Sequence, residues 1–245
     1  MSTLHTSNDH AHAAHGHDAH GHGDHAKYPF LQHHFDSPAH QFDSAKLGMW
    51  LFLATEVLFF GGLFVAYAVL RTRFPEVFSY ASHYLNTLMG GINTCVLILS
   101  SLTMALAVRC AQTNNRKGLI ICLVLTFMGA IGFLVIKYFE YSEKFAHTLF
   151  PGTGFLSNPQ GLEHIHGANA NAAQLYFSMY FAMTGLHAVH IIIGILIISI
   201  LGLMWFKRNK LVTEDFMPTE MIGLYWHFVD LVWIFLFPLY YLIPK

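Results

Sequence analysis

The stretch "LGMWLFLATEVLFFGGLFVAYAVL", residues 47–70, has a character that recurs along most of the chain. It holds one formal charge, Glu56, in 24 residues, and about 20 consecutive apolar residues are enough for a helix to cross roughly 30 Å of hydrocarbon. Of the 245 residues, 54% are hydrophobic and 11% are charged, and the charges lie between long apolar runs. This composition is typical of a membrane protein.

Similar apolar runs predict four more spans. Each span must be helical, because a bare loop or an open sheet edge would leave backbone polar groups unpaired in lipid. The runs show no alternation of polar and apolar residues, which argues against a transmembrane barrel. The predicted fold class is all-α, a polytopic transmembrane helix bundle in residues 46–245 with five spans at about 47–70, 88–108, 119–140, 175–206 and 221–243.

Residues 1–45 form a tail of a different character, with eleven of the eighteen histidines of the chain. The tail has too few apolar residues to offset the entropy of ordering, so it is predicted to be mostly disordered. It also lacks the apolar run of a cleavable signal peptide. Two interpretations stay open: a solvated, pH-responsive tail without a specific ligand, or weak, nonspecific metal binding by imidazoles such as those of His15, His17, His20 and His22.

The basic residues between the spans predict an orientation. The tail and the second and fourth connections hold eight Lys and Arg, whereas the opposite side holds five, among them Lys137 and Lys144. Because basic residues are retained on the cytoplasmic side, the N-terminus is predicted to be cytoplasmic and the C-terminus periplasmic.

Glu56 is the one charged residue of the first span. It lies nine residues into that span, roughly 14 Å of helical rise, and an ionised carboxylate near the bilayer midplane costs several kcal/mol. Glu56 is therefore predicted to be neutral at pH 7, or nearly so, and to be hydrogen-bonded to another helix. Two roles stay open for Glu56. It is either a protonated group whose hydrogen bond joins two helices, worth roughly 0.5–2 kcal/mol, or a proton-exchanging or modulatory carboxyl.

Two later spans carry polar pairs at helical spacing. The segment "TGLHAVHIIIG" places His187 and His190 on one helix face, and "LYWHFVDLVWIFLF" does the same for His227 and Asp230. A short connection, 207–220, makes these spans neighbours, so the four side chains are predicted to share one polar seam. The alternative for each histidine is a packing role between apolar helices.

The intramembrane histidines also limit the cofactors that this chain can hold. A terminal oxidase core must ligate two haems and a copper, for which three such histidines are too few, and the chain lacks the paired Cys and His ligands of a binuclear copper domain. A haem b anchor using His227 with His187 or His190 remains an alternative. A proton-coupled transporter using Glu56 and Asp230 is disfavoured, because internal repeats and helix breaks near the midplane are not evident.

Four segments carry a resemblance to a known family. They are "GMWLFLATEVLFFGGLFVAY" (48–67), "LNTLMGGINTCVLILSSLTMALA" (85–107), "GLHAVHIIIG" (185–194) and "LYWHFVDLVWIFLFPLYYL" (224–242). Together they resemble subunit III of haem-copper cytochrome c oxidase, over nearly everything from residue 40 to residue 245.

The resemblance implies a non-catalytic accessory subunit of a respiratory terminal oxidase, an oxidoreductase and translocase complex that reduces O₂ to water and pumps protons. This chain would have no redox centres, because haem and copper lie in the partners, catalytic subunit I and copper-bearing subunit II. It would stabilise the catalytic subunit, bind structural phospholipid and support proton uptake. The alternative complex is a quinol oxidase. A larger respiratory supercomplex is a further expected partner. No nucleic acid is expected as a partner.

The resemblance also assigns residues. Glu56 matches the buried, carbodiimide-reactive glutamate of the family. The other buried modulatory positions carried over are His187, His190, Trp226, His227 and Asp230. Lys207 and Arg208, at the cytoplasmic end of the fourth span, are candidates for a lipid phosphate contact. Compared with the seven-span long form of the family, the first two spans have no counterpart here, as in short bacterial members. The resemblance therefore implies the bacterial inner membrane. It also implies that a partner supplies one wall of the family's lipid cleft.

Overall fold

The computed structural model describes residues 35, 37–82, 85–147, 149–151, 170–209, 212 and 216–243. These residues form six α-helices and no strand. The helices are α1 (Pro38–Arg73), α2 (Pro75–Ser82), α3 (Thr87–Gln112), α4 (Arg116–Ala146), α5 (Ala170–Phe206) and α6 (Met217–Tyr241). The chain divides into two compact units, Met1–Ser44 and Ala45–Lys245, and the packing described below is that of the second unit.

Five of these helices, all except α2, are long and apolar enough to cross a membrane. The predicted all-α fold with five spans is therefore confirmed for the described part of the chain. Most of the histidine-rich tail, including the four candidate metal ligands, lies outside the described residues. The predictions of disorder and of weak metal binding stay predictions.

Two helix ends lie furthest from the predicted boundaries, the start of α1 and the end of α4. Residues 38–45, assigned to the tail from the sequence, are helical, because the Ser37 hydroxyl accepts from the backbone N–H of His40 at 3.2 Å and Pro38 occupies the first helical position. Residues 141–146, assigned to a long connection, continue α4. One of them, Lys144, is buried with its Nζ 3.5 Å from Glu140 Oε1.

The turn between α3 and α4 is built from asparagines. Asn86 begins α3, with its side-chain oxygen accepting from the backbone N–H groups of Leu88 and Met89 at 3.0 and 3.3 Å. Asn115 does the same for α4, accepting from Gly118 N–H at 3.2 Å. Between the two helices Asn114 has φ of 54°, a left-handed conformation that asparagine tolerates better than most residues. The turn sends α4 back antiparallel along α3.

Helices α3 to α6 pack in a ring, with α3 against α4 and α6, and α5 against α4 and α6. Of the five spans, α6 is the most buried and α1 the least. Large aromatic side chains connect α1 to the ring: Phe60 contacts Phe228 with ring centroids 6.3 Å apart, and Tyr67 contacts Tyr240 at 5.0 Å. The Tyr67 hydroxyl also donates to the backbone carbonyl of Leu239. The first span is thus a peripheral helix attached through side chains.

Candidate functional site

Glu56 on α1 pairs with His190 on α5. The Glu56 Oε2 lies 3.2 Å from His190 Nε2, and the two side chains are 20% and 14% exposed. The predicted hydrogen bond from Glu56 to another helix is therefore confirmed. The pair lies at the junction of α1, α5 and α6, since Phe60 packs its ring against His190 at 5.3 Å and Tyr225 donates its hydroxyl to the His190 carbonyl at 3.0 Å.

The second ring nitrogen limits how this pair can share protons. His190 Nδ1 lies 2.8 Å from the carbonyl oxygen of Leu186, which only accepts, so Nδ1 carries a hydrogen. Nε2 must then accept from a protonated Glu56, or both groups are charged and Nε2 donates. In either state the pair carries one shared proton and no net charge, which is the arrangement that a low-dielectric surrounding favours. The pair can therefore hold or exchange one proton.

Trp226 of α6 contacts both α3 and α5 in the interior of the helix ring. It is fully buried and donates its indole N–H to Ser100 Oγ on α3 at 2.9 Å. On the other side it faces Gly194 of α5, where an added Cβ would lie 2.7 Å from the indole atom Cζ3. Trp226 thus joins three helices, and the contact with α5 requires a glycine.

His187 lies in an aromatic pocket of the interior. Its ring centroid is 5.2 Å from Trp233 and 5.4 Å from Phe133. Neither ring nitrogen has a hydrogen-bond partner among the described residues. The geometry is that of a packing residue between α4, α5 and α6.

His227 and Asp230 face another direction, toward α3. His227 Nδ1 is hydrogen-bonded to Ser101 Oγ at 2.8 Å, and Asp230 lies near the same serine. The predicted single polar seam is wrong, because His187 and His190 point about 60° apart around α5 and the α6 pair faces α3, not α5. His190 turns to α1, His187 to the interior and the α6 pair to α3.

These positions bear on the haem alternative. Each of the three imidazoles has different neighbours: Glu56 and a carbonyl for His190, aromatic rings for His187, and a serine for His227. Ligation of iron through His190 Nε2 would break its hydrogen bond to Glu56. Within the described residues no group of three or more His, Cys, Asp or Glu side chains could hold a metal ion. The absence of bound cofactors stays a prediction.

Lys207 and Arg208 are exposed directly after the end of α5, so the structure leaves them accessible, and their contact with a lipid phosphate stays a prediction. A third cation at this place was not singled out from the sequence. Arg116 of α4 donates from Nε to the Trp205 carbonyl at 3.1 Å and from a terminal nitrogen to the Phe206 carbonyl at 2.6 Å. It stabilises the carbonyl end of α5, where a positive charge is favoured.

A buried charge cluster near the end of α4 was missed by sequence reasoning. Lys137, Glu140 and Lys144 are 4%, 0% and 1% exposed. Lys137 Nζ lies 2.9 Å from Glu140 Oε2, and Lys144 Nζ lies 3.5 Å from Glu140 Oε1. One carboxylate thus holds two ammonium groups in the protein interior.

Two tyrosines complete this cluster. The hydroxyls of Tyr180 on α5 and Tyr241 on α6 donate to Glu140 Oε1 at 2.9 and 2.5 Å. Tyr241 also accepts from Lys137 Nζ at 2.6 Å, and Lys137 lies 4.5 Å from the centroid of the Trp233 ring. The network joins the ends of three helices through hydrogen bonds to charged groups, which are stronger than neutral ones.

The signal for this cluster was present in the sequence. Lys137, Glu140 and Lys144 have the spacing i, i+3, i+7 that places residues on one helix face. In the sequence they fall at the end of a predicted span and in the connection that follows it, where charges are ordinary. The difference in basic residues between the two sides of the membrane also increases. Lys137 and Lys144 are buried, and without them the side opposite the N-terminus holds three Lys and Arg, whereas the N-terminal side holds eight.

Comparisons with known proteins agree with the motifs quoted above. The family model described as cytochrome c oxidase subunit III matches residues 144–244. The chain is similar to a cytochrome c oxidase subunit 3 from Synechocystis sp., with 30% identity over 82% of this chain and 76% of that protein. It is also similar to a cytochrome bo(3) ubiquinol oxidase subunit 3 from Pseudomonas putida, with 31% identity over 80% of this chain and 84% of the relative.

A longer relative is a heme-copper oxidase subunit I+III from Aeropyrum pernix. It is 31% identical over 82% of this chain, and the match spans 23% of that protein's length. With its five apolar helices this chain is an integral membrane protein, and it belongs to the subunit III family of haem-copper oxidases.

Proposed function

We propose that this chain is the non-catalytic subunit III of a respiratory terminal oxidase that reduces O₂ to water and pumps protons. The observation that carries the proposal is the Glu56–His190 pair, a proton-sharing contact between α1 and α5. The pair has the chemistry of a modulatory group near the midplane, and its partial exposure leaves it open to a neighbouring molecule. The proposed role is to support proton uptake by the catalytic subunit and to stabilise that subunit.

The proposed partners are catalytic subunit I and copper-bearing subunit II, with a larger respiratory supercomplex as a further assembly. The relative from Aeropyrum pernix supports the first of these, since its name describes subunits I and III as one protein. The electron donor is cytochrome c or a quinol, because the similar proteins include subunits of both kinds of oxidase. The proposed location is the bacterial inner membrane with the N-terminus in the cytoplasm.

Structural phospholipid is the further proposed ligand. An apolar groove of about 390 Å³ runs between α4 and α5, lined by residues that include Leu123, Leu203 and Phe206. Lys207 follows Phe206 directly and is exposed. An acyl chain in the groove with its phosphate at Lys207 and Arg208 would suit both the apolar lining and the positive charge.

The test is purification of the tagged full-length chain from its native membrane in mild detergent. We expect haem-copper oxidase subunits to co-purify, O₂ consumption by the complex, and no haem band in the spectrum of the chain separated from its partners. A haem band in the separated chain would favour the membrane-anchor alternative. Purification without any oxidase subunit would contradict the proposal.

A further inference from the structure

Two cysteine thiols meet beside the turn that joins α3 to α4. Cys110 lies in the last turn of α3, and Cys122 lies in the second turn of α4. Both are free and half-buried, and the side chain of Cys110 lies within hydrogen-bonding reach of the Cys122 thiol. The pair is separate from the Glu56–His190 pair and from the buried network of Glu140.

A glycine on α4 makes room for this contact. Gly118 lies one turn before Cys122 on the same helix face, and a Cβ added to it would lie 2.9 Å from Cys110 Sγ. The Cys110 sulfur therefore occupies the space that a side chain at position 118 would fill. Gly129 faces Ser100 in the same manner, with an added Cβ 2.8 Å from the Ser100 Cβ. The close approach of α3 and α4 thus extends along both helices.

The direction of helical side chains brings the two sulfurs to one level. Each Cα–Cβ bond of an α-helix is tilted toward the N-terminus of that helix. Because α3 and α4 run antiparallel, Cys110 leans away from the turn and Cys122 leans toward it. The two side chains therefore lean toward each other across the narrow gap at Gly118.

The pair also lies close to water. Thr113, Asn114 and Asn115 of the turn are exposed, and Cys110 precedes this turn by three residues. A small polar oxidant that reaches the turn is therefore within one helical turn of the first thiol. An oxidised cysteine beside a second thiol has a specific reaction open to it, because a sulfenic acid condenses with a neighbouring thiol to a disulfide.

We propose that Cys110 and Cys122 form a reversible oxidation site, at which hydrogen peroxide converts the two thiols into a disulfide. The sulfur of one thiol attacks peroxide, so that a sulfur–oxygen bond forms, the oxygen–oxygen bond breaks and one water leaves. The second thiol attacks the sulfenic sulfur, the disulfide bond forms and a second water leaves. The two sulfurs together lose two electrons and peroxide gains them. A thiol reductant restores both cysteines by exchange.

Two other interpretations of the pair are less specific. A free cysteine commonly serves as a small packing residue, but packing alone does not require two thiols in contact across a glycine. A structural zinc site takes four ligands, and in the part of the chain that the structure describes no group of three His, Cys, Asp or Glu side chains could hold a metal. The contact of two thiols matches disulfide chemistry.

Peroxide treatment of the full-length chain in its native membrane tests this inference. Oxidation is stopped with acid, remaining thiols are blocked with N-ethylmaleimide in denaturant, and the peptides are analysed by mass spectrometry without reductant. We expect a peptide pair linked through Cys110 and Cys122, lighter by two hydrogen atoms than the two thiol peptides and separated by dithiothreitol. Cys95 is the internal control, because fifteen residues of α3 separate it from Cys110, roughly 22 Å of helical rise. It should not be linked to either.

Phenylarsine oxide provides a second measurement that needs no oxidant, because its arsenic atom bonds to two thiols only when they are adjacent. The unaltered chain should bind the arsenical across Cys110 and Cys122. Cys110→Ser and Cys122→Ser should each lose this binding, and Cys95→Ser, the matched control, should retain it. Serine is close to cysteine in size, so the three variants test the thiols and not the packing.

The remaining outcomes would overturn the inference. Recovery of Cys110 and Cys122 only as separately blocked or separately oxidised peptides would show that they do not form a disulfide. An arsenic bridge without a disulfide would establish the contact and still contradict the oxidation site. A link from either thiol to Cys95 would show contact between copies of the chain instead. None of these results bears on the proposed function, which is tested by the co-purifying subunits.

Discussion

Glu56 and Glu140 are both glutamates inside membrane-spanning helices, and their surroundings differ in almost every respect. Glu56 has one described partner, His190, on another helix, and keeps 20% of its side chain exposed. Glu140 is fully buried and accepts from Lys137, Tyr180 and Tyr241, with Lys144 at 3.5 Å. The first is a pair at the edge of the bundle, whereas the second is a network in its interior.

The difference shows that a conspicuous charge and a structurally important charge need not be the same residue. Glu56 stands alone in an apolar run, so its sequence context draws attention to it. Glu140 lies among other charges at the end of a span, where the sequence resembles an ordinary boundary. Removing one member of a buried ion network leaves the others uncompensated, so we expect Glu140 to dominate stability and Glu56 to affect function.

The largest expected effect is that of Glu140→Gln. The change leaves the ammonium groups of Lys137 and Lys144 buried without an anion, which should lower the free energy of unfolding by about 3–5 kcal/mol. Thermal unfolding of the detergent-solubilised protein measures this, as does the amount of chain that accumulates in membranes. Stability equal to that of the unaltered chain would mean that the lysines are uncharged or relocate.

A smaller effect is expected for Tyr241→Phe. Its hydroxyl bridges Lys137 and Glu140, and the loss of a hydrogen bond to a charged group costs about 1.5–3 kcal/mol. Tyr176→Phe is the matched control, because Tyr176 is also fully buried and its hydroxyl has no hydrogen-bond partner among the described residues. The control should not lower stability, because removing an unpaired buried hydroxyl relieves a desolvation cost. Equal losses in the two variants would show that ring packing, not the network, is measured.

The smallest expected effect on stability is that of Glu56→Gln. Glutamine keeps the shape and can donate to His190 Nε2, so the free energy of unfolding should change by less than about 1 kcal/mol, and the assembled oxidase should be recovered in full. Proton uptake and O₂ consumption should be slower, because the shared proton is lost. Subunit content after purification and the rate of turnover are the measurements. Loss of the whole oxidase would show that this carboxyl is structural, which would remove the contrast with Glu140.

Much of the fold followed from hydrophobic runs and local signals. The five spans were predictable because a chain in lipid must satisfy its backbone within each helix. The partnership of Glu56 with another helix was predictable for the same reason, since a lone acid at mid-depth requires a partner. The start of α1 at Pro38 was also predictable, because serine before a helix and proline at its first position are common helix-start residues.

The divergence of the polar residues could not be predicted from their spacing alone. His187 and His190 are three residues apart, yet one packs between Phe133 and Trp233 and the other pairs with Glu56. The rotation of α5 about its own axis decides which neighbour each histidine meets. That rotation depends on contacts such as Gly194 against Trp226, which no local pattern encodes.

The sequence by itself determined that five apolar helices form and that the charges among them need partners, because both follow from the cost of leaving polar groups unpaired in hydrocarbon. Only the tertiary structure decided which partners they have. Glu140 became the centre of a buried network because α5 and α6 bring Tyr180 and Tyr241 to it. The physical reason is that pairing energies depend on distances of a few ångströms between residues far apart in the chain, and helix packing sets those distances.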